Sequence, residues 1–317
     1  MMTNVPDFGA RVADAPSDNF VYRILPRAAW PYAQLARWDR PIGWQLLMWP
    51  CFWSVALAAD AAPDDLDLSF GTVLFYLFLM FVGSVAMRGA GCTYNDLVDH
   101  KIDMEVARTR SRPLPSGRVS RFGAKTFIAL QALVGLLVLI QFNAFSIVLG
   151  IVSLAVVAVY PFAKRFTDWP QFFLGLAFSW GALMGWAAIF GALSWAAIWL
   201  YIAAVAWTIG YDTIYAYQDI EDDELIGVRS TARLFGDNAK PWLVGLYGVT
   251  LLLLLFSFIA AGAGFFAYLG LIAAAMLLAW QILMLDINNP ADCLRLFKSN
   301  NRVGAILFAG LMLSLIL

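Results

Sequence analysis

The sequence predicts an all-α membrane protein, a polytopic helical bundle of about nine transmembrane helices, on three observations. Of its 317 residues 62% are hydrophobic and only 14% charged, where a soluble domain carries about 25% charged residues. That composition cannot cover a water-exposed surface, so the solvent of most of the chain is lipid. Apolar runs of spanning length recur along it, since a bilayer core of about 30 Å needs roughly 20 helical residues at about 1.5 Å each. All the Lys and Arg residues fall on one side of the arrangement those runs imply.

The first element is a polar arm, residues 1–40. It holds no apolar core long enough for a signal peptide, and Asp7, Asp14 and Asp18 are unlike an acid-poor mitochondrial transit peptide. Residues 41–317 then read as a single transmembrane domain. Its spans run over about 41–59, 69–93, 120–140, 143–162, 169–192, 194–215, 241–262, 264–287 and 301–317. Spans three and four, five and six, and seven and eight are separated by only a few residues, so each pair is expected to form an antiparallel hairpin. No stretch remains for a soluble domain.

Basic residues are retained on the cytoplasmic side of a membrane. Arg11, Arg23, Arg27, Arg37 and Arg40 lie in the arm. Arg88, Lys101, Arg108, Arg110, Arg112, Arg118, Arg121 and Lys125 lie in or beside the loop after span two. Lys164 and Arg165 follow span four, Arg229, Arg233 and Lys240 follow span six, and Arg295, Lys298 and Arg302 follow span eight; these are all 21 basic residues of the chain. A miscount by one span would scramble the pattern. It puts the amino terminus in the cytoplasm, and a bacterial inner membrane fits it.

The net charge of -1 gives no attraction for nucleic acid. Cys51, Cys92 and Cys293 lie far apart without metal-ligand spacing and read as small buried hydrophobes. With one histidine, His100, a histidine-rich metal site is excluded. Asp60, Asp64, Asp65 and Asp67, between spans one and two, are expected only to solvate that loop.

Two acidic clusters stand at the cytoplasmic ends of even-numbered spans. In the run from Asn95 to Asp103, Asn95, Asp99 and Asp103 are spaced i, i+4, i+8, along one helix face. In the run from Asp212 to Asp223, Asp212, Asp219 and Asp223 fall at i, i+7, i+11, again one face. Stacked carboxylates repel unless a cation sits between them. Magnesium prefers oxygen ligands, takes one or two carboxylates and completes its shell with phosphate and water. Two such helix ends facing each other would hold a diphosphate through magnesium ions.

Acids at helix ends are often merely solvated, and either cluster alone would fit that reading as well. Two clusters in helical register favour function, as does Asp212, about a turn inside a membrane helix where a carboxylate is costly. The loop from Arg108 to Arg118, stiffened by Pro113 and Pro115, offers arginine forks for phosphate oxygens. Lys101, Arg108, Arg110, Arg112 and Arg229 are the diphosphate candidates, although ordinary cytoplasmic-side charge accounts for part of them. No glycine-rich P-loop pattern suggests nucleotide hydrolysis.

NDLVDHKID followed by RTRSRPLPSG, then YDTIYAYQDIEDD followed by IGVRSTARLFG, resembles the UbiA superfamily of intramembrane aromatic prenyltransferases. RWDRPIGWQLLMWPCFWS at the first span and YPFAKR after the fourth resemble its subgroup acting on 4-hydroxybenzoate in the ubiquinone pathway. The resemblance runs from about residue 35 to the end, and its paired acidic motifs are specific to the superfamily. It departs at Tyr217, where many relatives of the subgroup carry histidine, which leaves the metal ligands intact.

The resemblance implies a central cavity capped on the cytoplasmic side by the motif loops and open sideways to lipid, the medium of the prenyl tail. It implies that Asn95, Asp99, Asp103, Asp219 and Asp223, with Asp212 in support, hold magnesium against a polyprenyl diphosphate. Asp99, Asp219 and Asp223 are then the catalytic carboxylates, and Arg40 or Arg165 the partner of the carboxylate of 4-hydroxybenzoate. Prenyltransferases of the superfamily acting on homogentisate, dihydroxynaphthoate, haem or chlorophyllide share the diphosphate machinery and differ in the acceptor pocket. A cation-coupled transporter would show broken helices near the midplane in matching halves, whereas these acids cluster at one face.

Overall fold

A computed structural model describes residues 12, 19–63, 66, 68–105, 109–220 and 227–317, with Ile102, Glu105 and Asp219 described by backbone only. The described residues are helical with no strand. They comprise α1 (Phe20–Ile24), α2 (Trp30–Leu35), α3 (Ile42–Asp60), α4 (Phe70–Val98), α5 (His100–Glu105), α6 (Arg121–Leu139) and α7 (Ala144–Phe166). There follow α8 (Pro170–Phe178), α9 (Gly181–Phe190), α10 (Trp195–Ala216), α11 (Thr231–Phe235), α12 (Ala239–Ala261), α13 (Phe265–Met284) and α14 (Pro290–Ile316).

Nine stretches among the described residues are long and apolar enough to cross a membrane, in the positions the apolar runs predict. Three differ in detail. The second runs on to Val98, so that Asn95 and Asp96 are helical. The fifth is divided into α8 and α9, the path between them tightened by short i to i−3 bonds from Ala182 N to Ser179 O and from Leu183 N to Trp180 O. The last begins at Pro290, well before its apolar run, where Asn289 caps the amides of Ala291 and Asp292 and Pro290 takes the first-turn position that needs no N–H.

The contacts resolve two compact units, Met1–Trp44 with Val82–Leu137, and Gln45–Phe81 with Val138–Leu317. In the first, Leu35, Leu114, Val119 and Ala124 form a buried cluster beneath Leu97 and Phe127. In the second, α10 is the centre: 72% of its apolar window is buried, against 11% for α7. The outer face of α7 carries exposed Val148, Ile151, Val152 and Val159, the surface expected against lipid.

Several buried polar groups of the second unit are paired, which a lipid solvent favours. Trp207 Nε1 donates to Asn300 Oδ1 at 2.9 Å and Trp53 Nε1 to Gly304 O at 2.9 Å. Tyr247 donates to Gln281, which donates to Ser299. At Gly310 the backbones of α13 and α14 approach so closely that a Cβ would lie 2.8 Å from Phe266 O and 2.9 Å from the Cα of Gly270, the small-residue contact typical of membrane helices. Asp60 does more than solvate its loop, since its carboxylate accepts the amide of Gly264 at 3.0 Å. The three cysteines are buried and form no disulfide.

Candidate active site

The first acidic segment belongs to the first unit. α4 carries Asn95 and Asp96 in its last turn, Asp99 interrupts the helix, and α5 resumes it. The helical register survives the interruption: Asp99 N donates to Asn95 O and Asp103 N to Asp99 O, both at 2.9 Å. Asn95, Asp99 and Asp103 therefore succeed one another at the spacing of one helix face. Asn95 is half-buried, while Asp99 and Asp103 are only 2% and 6% exposed. Lys101 and Arg110 are exposed, and Arg108 lies outside the described residues.

Arg112 is joined to this ladder. Its Nη1 donates to both carboxylate oxygens of Asp103, at 3.3 and 3.4 Å, and lies 3.6 Å from Asp96 Oδ1. That same Asp96 oxygen takes a 2.6 Å bond from Arg37 Nη2, and Asp96 is wholly buried. Helical spacing gave no reason to single out Asp96, and Arg37 reads from sequence as one more cytoplasmic-side charge. A pairing across 59 residues leaves no local trace. The available signal was Arg37 itself, in a segment of alternating charges directly before an apolar run.

Arg37 is also the one non-glycine residue with positive φ among those described, at 59°. Trp38 N donates to Ala33 O and Arg37 N to Gln34 O, the paired bonds that close a helix around a left-handed residue, a position glycine usually fills. A side chain there costs about 1 kcal/mol. The cost is met by what the turn delivers: the guanidinium caps Gln34 O at 2.8 Å with one nitrogen and reaches Asp96 with the other.

Next in the chain, Arg40 Nε lies 3.3 Å from Oδ1 of the fully buried Asp39, whose other oxygen takes the Tyr22 hydroxyl at 3.2 Å. Burial, then the Asp39 charge, push the Tyr22 phenol up from its ordinary value, so it stays a donor. Arg118 donates to Gln34 Oε1 and Ser111 O, pinning the basic loop to α2. Burial lowers its guanidinium from the ordinary value, though arginine starts high enough to remain a cation.

The second acidic segment belongs to the second unit. Asp212 is half-buried in α10, which ends at Ala216 in a 3-10 turn, Tyr217–Asp219. The side chain of Asp219 and all of Asp223 lie outside the described residues. Tyr217, at the position where the resemblance departs, donates its hydroxyl to Gly236 O at 2.6 Å. Burial foremost, with the Asp237 charge behind it, pushes its phenol up to about 12. Arg229 is half exposed; its amide donates to Lys164 O at 3.4 Å, its Nη1 to Phe166 O at 3.3 Å, and its Nε lies 3.8 Å from Asp168. It thus joins the segment after the second cluster to the end of α7, where exposed Arg165 lies 5.2 Å from the ring of Phe162. Among the described residues no three His, Cys, Asp or Glu side chains form a metal-holding group.

The UbiA prenyltransferase family matches residues 47–308. The chain is 50% identical over 302 residues to "4-hydroxybenzoate polyprenyltransferase, mitochondrial" of Drosophila melanogaster, covering 92% of this chain and 73% of that one. The solved apo structure of a UbiA homolog from Aeropyrum pernix K1 shares the fold with a TM-score of 0.69 at 24% identity, over 85% of this chain and 97% of the other. A UbiA homolog from Archaeoglobus fulgidus, solved bound to GPP and Mg2+, does so with a TM-score of 0.61 at 19% identity, over 90% of this chain and 100% of the other. On that match, and on half identity across nearly its whole length, the chain belongs to the UbiA prenyltransferase family.

Proposed function

We propose that the chain transfers a polyprenyl group from polyprenyl diphosphate to 4-hydroxybenzoate, at the ring carbon ortho to the hydroxyl, in ubiquinone biosynthesis. The observation that carries this reading is the half identity to the Drosophila enzyme of that name. The helical register from Asn95 to Asp103 at the end of a membrane span supports it chemically.

The donor set suits magnesium. Asn95, Asp99, Asp103, Asp219 and Asp223, with Asp212 in support, offer only hard oxygen ligands. Asp99 and Asp103 are buried, where carboxylates in register call for a neighbouring cation. The Archaeoglobus homolog solved with GPP and Mg2+ supports the same assignment. When bound, magnesium supplies positive charge against the charge that grows on the leaving diphosphate.

The protein's own residues do the rest. Lys101, Arg108, Arg110, Arg112 and Arg229 offer cations to the diphosphate oxygens, stabilising charge where it develops as the allylic C–O bond breaks. Arg112 does so by exchanging its bond to Asp103. The ortho carbon of the acceptor then attacks the allylic carbon, and a carboxylate among Asp99, Asp219 and Asp223, or the released diphosphate, takes the ring proton, restoring aromaticity. Arg40 or Arg165 meets the acceptor carboxylate. We place the chain in a bacterial inner membrane; the one-sided basic residues favour a cytoplasmic amino terminus and cytoplasmic acidic segments. The mitochondrial name of the Drosophila relative makes the mitochondrial membrane the competing site.

The test is product formation by purified protein with magnesium, a short allylic diphosphate and 4-hydroxybenzoate, with and without chelator and beside homogentisate and dihydroxynaphthoate. Chelator-sensitive prenylation of 4-hydroxybenzoate is expected. Prenylation of another acceptor alone would move the chain to a sister subgroup, and no prenylation by folded protein would overturn the reading.

A further inference from the structure

α14 begins at Pro290 although its apolar run begins only after Arg302. Its first turns therefore carry charge along a helix that then enters the membrane. Arg295, Lys298 and Arg302 are spaced i, i+3, i+7, which places them on one face. At about 1.5 Å per residue the ladder is roughly 10 Å long. It runs outward from the edge of the apolar segment, through the depth that lipid head groups occupy.

These cations line a cavity of about 490 Å3 between the start of α14 and the end of α13, together with Trp280, Leu294 and Ser299. Trp280 lies one turn before the end of α13, and tryptophan is enriched at that interfacial depth. The three cations are not equivalent. Arg295 is paired with Asp292 at 2.9 Å and lies 5.7 Å from the Trp280 ring. The side chains of Lys298 and Arg302 make no hydrogen bond or ion pair among the described residues, and both residues are exposed. Ser299 is already committed, accepting from Gln281 and donating to Leu296 O, so the open valence of the cavity is cationic.

We propose that this cavity binds the phosphate of an anionic membrane phospholipid, with Lys298 and Arg302 on the phosphate, Arg295 at its outer edge, and the acyl chains lying along the apolar face below. A pocket of two uncommitted cations, an interfacial tryptophan and an aliphatic wall, opening at head-group depth, is matched to a phosphodiester attached to hydrocarbon rather than to a soluble anion. The site stands apart from the second acidic segment but at the same end of their unit. Phe297 of α14 packs on Tyr215 and Tyr211 of α10, the helix that carries Asp212. A bound lipid would therefore brace α14 where it supports that helix end.

The experiment is native mass spectrometry of the full-length protein in detergent, titrated with phosphatidylglycerol or phosphatidylcholine, with inorganic phosphate as a separate arm. One phosphatidylglycerol should be retained with at least tenfold preference. The double variant Lys298→Gln, Arg302→Gln should weaken it by about 25-fold, fivefold for each cation of about 1 kcal/mol. Lys298→Arg with Arg302→Lys should keep the preference. Equal retention of both lipids, undiminished binding by the glutamine variant, or displacement by millimolar phosphate would overturn the proposal, the last assigning a free-phosphate site. If the glutamine variant does not fold, the wild-type preference and its response to phosphate decide. The readout is independent of turnover, so its failure leaves the transferase reading standing.

Discussion

Arg37 shows how a single residue can hold an unfavourable backbone for a favourable side chain. Its left-handed turn costs about 1 kcal/mol, and removing one partner of a buried ion pair costs about 3–5 kcal/mol. The second effect should win. Arg37→Gly relieves the backbone and loses the pair; Arg37→Ala loses the pair and keeps the strain. We expect thermal unfolding in detergent to rank wild type above the glycine variant, and glycine above alanine by about 1 kcal/mol. A glycine variant as stable as wild type would mean that Arg112 alone suffices for Asp96. The proposed catalytic carboxylates should behave oppositely. Asp99→Asn and Asp219→Asn should reduce turnover by more than about 100-fold with unfolding little changed, and near-wild-type rates in either would remove it from the site. Tyr217→Phe loses the bond to Gly236 and should cost about 1 kcal/mol. The phenol is raised to about 12 in the folded protein, from an unfolded value near 10. That contribution is therefore complete below about pH 10 and is lost as the pH climbs toward 12.

At the scale of elements, the nine apolar runs were legible because a bilayer imposes a length, and the i, i+4, i+8 spacing was legible because a helix imposes a period. What escaped was non-local or compositionally silent. The turn at Ser179 and Trp180 sits within a run that is apolar on both sides, so nothing in its hydropathy marks the division into α8 and α9. The start of α14 is polar, and a ruler of apolar residues passes over it. The bond between Arg37 and Asp96 joins elements 59 positions apart, beyond any spacing argument. The contact of α13 with α14 yields an element-scale prediction. The Cβ of Gly310→Ala would meet backbone atoms that cannot step aside, so the variant should lose about 1–3 kcal/mol. Gly248, with nothing within 4 Å of its would-be Cβ, should accept alanine with almost no change. Equal melting temperatures for the two variants would show that α13 and α14 can separate without cost.

For the whole molecule, the proposed orientation rests on counting and charge together. An odd number of spans puts the two termini on opposite sides, and the basic residues assign the amino terminus and the even-numbered span ends to the cytoplasm. On the proposed orientation both acidic segments meet the same aqueous phase, from which 4-hydroxybenzoate and magnesium would arrive, while the prenyl tail would stay in lipid. This arrangement can be tested without substrate. A carboxyl-terminal fluorescent protein that matures only in the cytoplasm should stay dark in a bacterial host, and the same fusion at the amino terminus should fluoresce. The apolar run after Arg302 has no charged residue to hold it back, so the terminus beyond it should be exported once the rest has inserted. A bright carboxyl-terminal fusion beside a bright amino-terminal one would require an even count, with every basic span end beyond the miscounted span on the opposite face. If that span lay between the two acidic segments, they would meet opposite aqueous phases and the proposed diphosphate site would fall; if it were the last, the acidic segments would keep their common side.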